Sequence, residues 1–305
     1  MLIKKYSQYV PLLLLLFAFP VFSDYVVNKR YTSSIYVDEK IVVLEDGLDL
    51  SQNDLQGIRI YRQEQELRNI NFNECNLTGA DFDDSRFVGC SFRSANLNGL
   101  RHDGYFKDCD FTDAIITGFM GEQIGKTIIP IDSSDIVKTK SFQLKSLNNV
   151  VIRSSFNGLD LSGFNLRGAK ISSIHGCNLT GAIISDSRLV GMTREQLVTT
   201  KDFHSGELLD VQMYNMDISG LDLSHFNLTG CVFGSIRNST NVSEVIFSDA
   251  IITKCNFWQT VGLTAEQIKS TWNYKHGHMD SVLLPQDIQA ALDAEKEGNK
   301  TDNSN

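Results

Sequence analysis

The sequence lacks the short motifs that mark many enzymes. It has no glycine-rich phosphate loop and no serine-centred nucleophile elbow. His276 and His278 stand close to Asp280, but two histidines without a further strong ligand are typical of a surface turn rather than of a metal site. We therefore predict no catalytic residue, no cofactor and no bound metal.

The chain also lacks an excess of basic residues. It has 28 lysines and arginines against 37 aspartates and glutamates, which gives a formal net charge of −9. Phosphate contacts need clustered lysine and arginine, so direct binding to nucleic acid is not expected. An acidic balance of this kind favours a soluble protein.

A hydrophobic run long enough to span a membrane is not found at the amino end. Lys4 and Lys5 precede the apolar stretch 10–22, whose length of about 13 residues is short of the roughly 20 that a spanning helix needs. This order of segments is typical of a secretory signal peptide. We predict cleavage near Ser23, export to the periplasm or beyond the cell, and no stable membrane span afterwards. The alternative is an uncleaved amino-terminal anchor.

Large apolar residues recur at every fifth position in the first third of the chain. A helix has an apolar period of 3.6 residues and a half-buried strand a period of two, so a period of five predicts a chain that turns a corner every five residues. Four such sides make one coil, and stacked coils make a solenoid. The residues predicted to fill its core are Phe72, Leu77, Phe82, Phe87, Phe92 and Leu97.

A small residue stands two positions before each large one from Leu77 to Leu97, as Ala80 stands before Phe82. Close packing leaves room for one large and one small inward side chain on each side of a coil. All six cysteines occupy this small position, so we predict buried free thiols and no disulfides, because stacked rungs do not offer the required Cβ geometry. They are Cys75, Cys90, Cys109, Cys177, Cys231 and Cys255.

The segments CNLTG at 75–79 and ADFDD at 80–84 resemble the pentapeptide repeat, which is written A-(D/N)-L-x-x. The resemblance implies an all-β solenoid, namely a right-handed quadrilateral parallel β-helix. Further copies cover most of the chain after Leu48. The family includes many functions, so the resemblance indicates the architecture better than the activity.

Two longer patterns suggest three units. An eleven-residue pattern recurs at 47–57, 158–168 and 220–230, and an EQ(I/L)xxT pattern recurs at 122–127, 195–200 and 266–271. We predict short helices, a carboxy-terminal helical cap and an insertion that leaves the coils as a hairpin or helix-loop. The predicted parts are a signal peptide (1–23), a lead-in (24–46), unit 1 (47–121), unit 2 (122–192, with the insertion at 125–147), unit 3 (193–263), the cap (264–293) and a disordered tail (294–305).

Thr193 and Thr264 are placed to cap the short helices that begin at the second and third EQ patterns. Insertions in solenoids often gather on one functional side. We therefore predict a binding surface there, in the exposed part of each segment, formed by Arg194, Glu195, Glu266 and Lys269.

These patterns favour an exported, non-catalytic scaffold that presents a rigid wall to a protein or to an envelope polymer. One alternative is the gyrase-protecting branch of the family, whose acidic rod imitates duplex DNA, although gyrase is cytosolic. A weaker alternative is a polysaccharide-cleaving enzyme, because the aspartates near 81–84 and 108–113 resemble the carboxylate clusters of sugar-cleaving β-helices. Corner positions explain Asp81 and Asp110 without catalysis, and the adjacent His102 and Asp103 need not face each other. The partner is unidentified, and a homodimer stays open.

Overall fold

The computed structural model describes residues 33–37, 40–60, 66–82, 85–102, 105–118, 120–121 and 133–302. The predicted signal peptide, the first EQ pattern at 122–127, and Asp83, Asp84 and Asp103 lie outside the described residues. Within the described residues, no helix has both the length and the apolar character needed to cross a membrane.

Parallel pairing repeats along the chain at intervals of 19 to 22 residues over the first four coils. Each coil contributes four paired positions, which form four ladders. The first ladder begins Asp49, Asn71, Ser91, Asp110; the second begins Asp54, Asn76, Asn96, Ile115; the third runs Arg59, Asp81, Arg101, Met120, Val151, Lys170, Arg188; and the fourth is Leu67, Phe87, Phe106. Most of these positions are single bridges, because the chain turns after every fifth residue.

Longer strands occur where the third and fourth ladders are most regular. One parallel sheet has the order β10-β9-β8-β7-β5 and another the order β3-β4-β6, while β1 with β2 and β11 with β12 are antiparallel pairs. The strands are β1 Ser33–Val37, β2 Lys40–Leu44, β3 Leu67–Arg68, β4 Arg86–Val88, β5 Arg101–His102, β6 Tyr105–Lys107, β7 Met120–Gly121, β8 Val151–Ser155, β9 Lys170–Ser173, β10 Arg188–Leu189, β11 Gly234–Ser235 and β12 Asn238–Ser239.

The core confirms the five-residue period. All six predicted core residues are fully buried, and the small residues two positions earlier are buried beside them. The ring of Phe92 stacks on Phe72 at 4.9 Å and on Phe111 at 5.1 Å, with interplanar angles of 8° and 3°. Burying one such ring contributes about 1.5–3 kcal/mol, so the stacked phenylalanines are a main source of stability.

All six cysteines are buried and free, as predicted. Four of the thiols donate to a carbonyl oxygen of the preceding coil at 2.9 Å, for example Cys75 to Leu50 and Cys255 to Leu228. Burial raises the pKa of the Cys75 thiol to about 11 and that of Cys231 to about 12. These two thiols are therefore protonated at neutral pH, and burial shields all six from reagents.

Corner residues use their side chains to hold the turns. Asp49 Oδ1 accepts the backbone N–H of Ser51 at 3.0 Å and the amide of Asn71, in the next coil, at 2.9 Å. Aspartate at such a corner therefore bonds both its own turn and the next coil. Gly89 has a φ of 64°, and a Cβ there would lie 2.7 Å from Asn69 Oδ1, so a side chain at this corner would require Asn69 to move.

In the part of the chain that the structure describes, six short helices occur as three consecutive pairs, and a longer helix follows them. The helices are α1 Ser133–Ile136, α2 Lys140–Gln143, α3 Arg194–Leu197, α4 Lys201–Ser205, α5 Ala265–Lys269, α6 Trp272–Lys275 and α7 Gln286–Asp302. The first pair falls in the predicted insertion at 125–147. Its described part does not leave the coils: the backbone N–H of Lys140 donates to Ala114 O and that of Asp113 donates to Lys138 O, both at 2.9 Å.

The carboxy-terminal segment is helical where the sequence suggested disorder. Helix α7 continues to Asp302, and Ile288 and Leu292 on it are buried. The predicted tail 294–305 is thus helical through Asp302, and its last three residues lie outside the described part. Alanine, leucine, glutamate, lysine and glutamine are strong helix formers, and Glu295 is held by the ammonium of Lys269 at 2.5 Å. The prediction of a disordered tail from its polar composition is therefore wrong as far as Asp302.

Candidate interaction surface

The three helix pairs share one hydrogen-bonding arrangement. In each pair a threonine stands between the two helices and caps the second: Thr139, Thr200 and Thr271 accept the backbone N–H three residues later at 3.2 Å. Each hydroxyl also donates to the carbonyl of the residue three positions earlier at 2.6–2.7 Å. All three threonines are fully buried, so these caps belong to the interior of the protein and not to its surface.

A buried polar side chain ties the second helix of each pair to the previous coil. The acceptors are Ser141 Oγ, Asp202 Oδ2 and Asn273 Oδ1, which bind the backbone N–H groups of Ile116, Ile184 and Ile252 at 2.9, 2.8 and 2.7 Å. Because a helix and not a strand lies beside these N–H groups, they have no backbone carbonyl of a next strand to bind, and the side chains replace it. The helices therefore interrupt a coil while these three N–H groups keep an acceptor.

The helix pairs recur every third coil at the same ladders. Lys140, Lys201 and Trp272 each donate their backbone N–H to an alanine, namely Ala114, Ala182 and Ala250. Between the first and second pairs the second ladder runs Ser146, Asn165, Ile183, and between the second and third it runs Glu207, Asn227, Ile251. With about 4.8 Å between strands, successive helix pairs are roughly 14 Å apart.

The predicted threonine caps of α3 and α5 are confirmed. Thr193 with Gln196, and Thr264 with Gln267, form reciprocal capping boxes. The glutamines have a second task that the sequence did not reveal. The Nε2 atom of Gln196 donates to Cys177 O at 2.8 Å, and that of Gln267 donates to Val245 O at 2.9 Å. The glutamine of the EQ pattern thus joins its helix to the preceding coil by hydrogen bonds.

The four predicted surface residues differ in exposure. Glu195 and Glu266 are exposed, as expected, whereas Arg194 and Lys269 are partly buried. The Arg194 guanidinium donates to Ser219 O. Lys269 is paired with Glu266 at 2.8 Å and with Glu295 of α7, which raises its pKa. The expectation that Arg194 and Lys269 are exposed is therefore wrong, because both bind groups within the chain.

A cleft of about 350 Å³ lies beside α3. Arg194 and Glu195 form one wall, and the rest is lined by Met192, Thr193, Asn215, Met216 and Asp217. Hydrogen bonds from the backbone and hydroxyl of Ser219, together with the charge of Arg194, lower the pKa of Asp217. The pKa of Glu195 is lowered by hydrogen bonds from its own backbone N–H and from Thr193. The cleft is therefore polar, with one cation and two carboxylates at its edge.

The histidines weighed for a metal are stacked on an indole ring. Trp272 lies 4.4 Å from the His276 ring and 5.3 Å from the His278 ring, with interplanar angles of 19° and 17°. His276 Nδ1 is also 2.8 Å from Trp272 O. Among the described residues, no group of three or more His, Cys, Asp or Glu side chains is arranged to hold a metal ion.

Asp110, one of the aspartates weighed as sugar-cleaving carboxylates, holds a corner of the coil. Asp110 accepts the backbone N–H and the hydroxyl of Thr112 at 2.9 and 2.6 Å. Burial acts to raise the pKa of Asp110, but the bonds from Thr112 and the charge of Arg93 outweigh it and lower that pKa. A carboxyl held in its charged form in this way is a poor general acid.

Parallel pairing that repeats about every twenty residues along four ladders is the arrangement expected for the coils of pentapeptide repeats. Residues 66–99 match the family model for pentapeptide repeats, in eight copies, and the chain therefore carries pentapeptide repeats. No curated protein matches it.

Solved structures of two pentapeptide repeat proteins are similar to this chain. One is HetL, a pentapeptide repeat protein involved in heterocyst differentiation regulation from the cyanobacterium Nostoc sp. strain PCC 7120, with 15% identity, 70% of this chain and 78% of that chain covered, and a TM-score of 0.21. The other is full-length QnrB1, a plasmid-mediated fluoroquinolone resistance protein, with 16% identity, coverage of 79% and 94%, and a TM-score of 0.17. At such scores the likeness carries no argument about function.

Proposed function

We propose that this protein is an exported, non-catalytic pentapeptide-repeat scaffold that presents a rigid wall to another protein or to an envelope polymer. In this proposal the coils form a right-handed quadrilateral parallel β-helix, and the segment 264–293 covers its last coil. The observation that carries it is the recurrence of capped helix pairs at the same ladders in every third coil. A regular array on a stiff core suits a partner that is bound at several points.

The internal bonding of the helix pairs supports a scaffold rather than a moving part. Buried threonines and the acceptors Ser141, Asp202 and Asn273 fix each pair to the coil beneath it. The adjacent cleft offers Arg194, Glu195 and Asp217 as polar contacts. We expect these side chains to bind a partner, because the rigid backbone reduces the entropy lost on association.

The export part of the proposal rests on the amino-terminal basic and apolar segments. It is tested by fractionating cells that express the full chain with a carboxy-terminal tag. We expect the tagged protein in the periplasm or medium, shortened by about the length of a signal peptide. A full-length protein in the cytosol that protects gyrase from a fluoroquinolone would overturn export and favour the DNA-mimicking alternative.

The binding part is tested by affinity capture from cell envelopes. We expect the pair Arg194→Ala and Glu195→Ala to capture less partner than the wild type, with a similar melting temperature. A matched control, Arg93→Ala with Glu74→Ala, removes one cation and one carboxylate from exposed positions outside the helix pairs. Equal capture by both double variants would show that the helix-pair surface does not bind the partner.

A further inference from the structure

Four exposed cations lie on one parallel sheet of this acidic protein. Arg101 of β5, Lys170 of β9 and Arg188 of β10 occupy paired positions of the third ladder, and all three side chains are exposed. Arg153 of β8 points the same way, because it alternates with the buried Ile152. We call Arg101, Arg153, Lys170 and Arg188 the cationic row.

The cationic row is free of ion pairs within the described residues, although Asp81 is the backbone-paired neighbour of Arg101 on the third ladder. Cations elsewhere do form ion pairs, as Arg93 does with Asp110 and Lys275 with Asp249. Arg188 lies 5.5 Å above the Tyr214 ring. The paired positions named above for the first and second ladders carry acidic, amide, hydroxyl or aliphatic side chains instead. A positive strip therefore crosses a chain whose net charge is −9.

The dimensions of the cationic row suit an extended anionic chain. Four strand steps separate Arg101 from Arg188 along the third ladder, which at about 4.8 Å per step is roughly 19 Å. At its Arg188 end the row approaches the cleft, since Met192 and Arg194 line that cleft. A linear polyanion could thus contact several cations in sequence and continue toward the Arg194 guanidinium.

We propose that the cationic row binds a carboxylate-bearing polysaccharide. This inference rests on the proposed function and gives the chemistry of its polymer partner. Charge complementarity favours a polyanion, and within the described residues Tyr214, which Arg188 overlies, is the one aromatic ring in contact with a cation of the row. A strip with few stacking platforms suits single-stranded nucleic acid poorly. Duplex DNA would bring its phosphates close to the surrounding acidic surface, and a protein partner usually needs an apolar or aromatic anchor.

The test measures binding of the full chain to polygalacturonate, with uncharged dextran as the reference polymer. We expect binding to polygalacturonate alone, weakening as salt rises from about 50 to about 200 mM. The double variant Lys170→Glu and Arg188→Glu should lose roughly tenfold or more in affinity. A matched control, Arg93→Glu and Lys254→Glu, makes the same change of net charge at exposed positions outside the row and should stay within about twofold.

Equal losses in both double variants would show that only net charge matters and would overturn the proposal. Tighter binding to duplex DNA, or to polyglutamate, would replace the polysaccharide with a nucleic acid or an acidic protein segment. Melting curves of both variants show whether the fold is kept. If polygalacturonate does not bind but envelope capture succeeds, the proposed function stands and the cationic row fails. If the chain is cytosolic but binds polygalacturonate, the cationic row stands and the proposed export fails.

Discussion

The carboxylate of Asp202 accepts the backbone N–H of Ile184 at 2.8 Å, although the two residues belong to successive coils. The same oxygen accepts the N–H of Ser185 at 2.7 Å and its hydroxyl at 2.8 Å. Asp202 is only 7% exposed. One side chain of α4 thus supplies the acceptors that a neighbouring strand supplies elsewhere in the stack.

We expect Asp202→Leu to reduce the free energy of unfolding by about 3 kcal/mol, because two buried N–H groups and a hydroxyl lose their acceptor. Asp202→Asn should cost less, since Asn273 performs the equivalent task in α6. Lys201→Leu is the matched control, as Lys201 precedes Asp202 in the same helix and is exposed. Urea denaturation measures all three. Equal destabilisation by the leucine variants would contradict this role for Asp202.

The core is tested by Phe87→Asp, which we expect to abolish soluble expression. Phe87 is fully buried, and its ring lies 5.0 Å from Phe82 and 5.4 Å from Phe106. An unpaired carboxylate there would lose its hydration and interrupt stacking on both sides. Ser94→Asp is the control, because Ser94 is exposed and has a φ of 56° that aspartate tolerates. A soluble Phe87→Asp protein with the wild-type melting temperature would show that this ring is not required.

The six thiols should be reduced but sheltered. We expect little alkylation of the native protein by iodoacetamide at neutral pH, and six labels in denaturant without reductant, because burial both blocks access and raises the pKa of thiols such as Cys231. Mass spectrometry counts the labels. Fewer than six labels in denaturant would reveal a disulfide and contradict the assignment of free cysteines.

Corner aspartates should make the protein sensitive to acid. The backbone N–H and hydroxyl of Ser162 donate to Asp160 and lower its pKa in the folded state. The stabilisation is therefore present above the unfolded pKa of about 4 and is lost as the pH falls through the lower folded value. Asp160→Asn keeps an acceptor but removes the titrating group. We expect this variant to lose less stability than the wild type between about pH 5 and pH 3, measured by thermal melting. Identical pH profiles would show that Asp160 does not contribute.

The amino-acid sequence by itself determined the five-residue core period, the inward cysteines and the threonine caps of α3 and α5. These features are local: whether Phe87 or Cys90 points inward depends on its position within one side of a coil, and whether Thr193 caps a helix depends on Gln196, three residues later.

Other features depended on residues far apart in the chain. The first helix pair falls at 133–143, beyond the first EQ pattern, where the backbone N–H of Lys140 donates to Ala114 O and the hydroxyl of Ser141 accepts the N–H of Ile116. Lys269 is engaged rather than free because α7 brings Glu295 beside it. The cationic row exists only after Arg101 and Arg188, which are separated by 87 positions in sequence, are stacked on one sheet. The five-residue period of the sequence predicts which way a side chain points, but only the stacking of coils decides which charged side chains become neighbours.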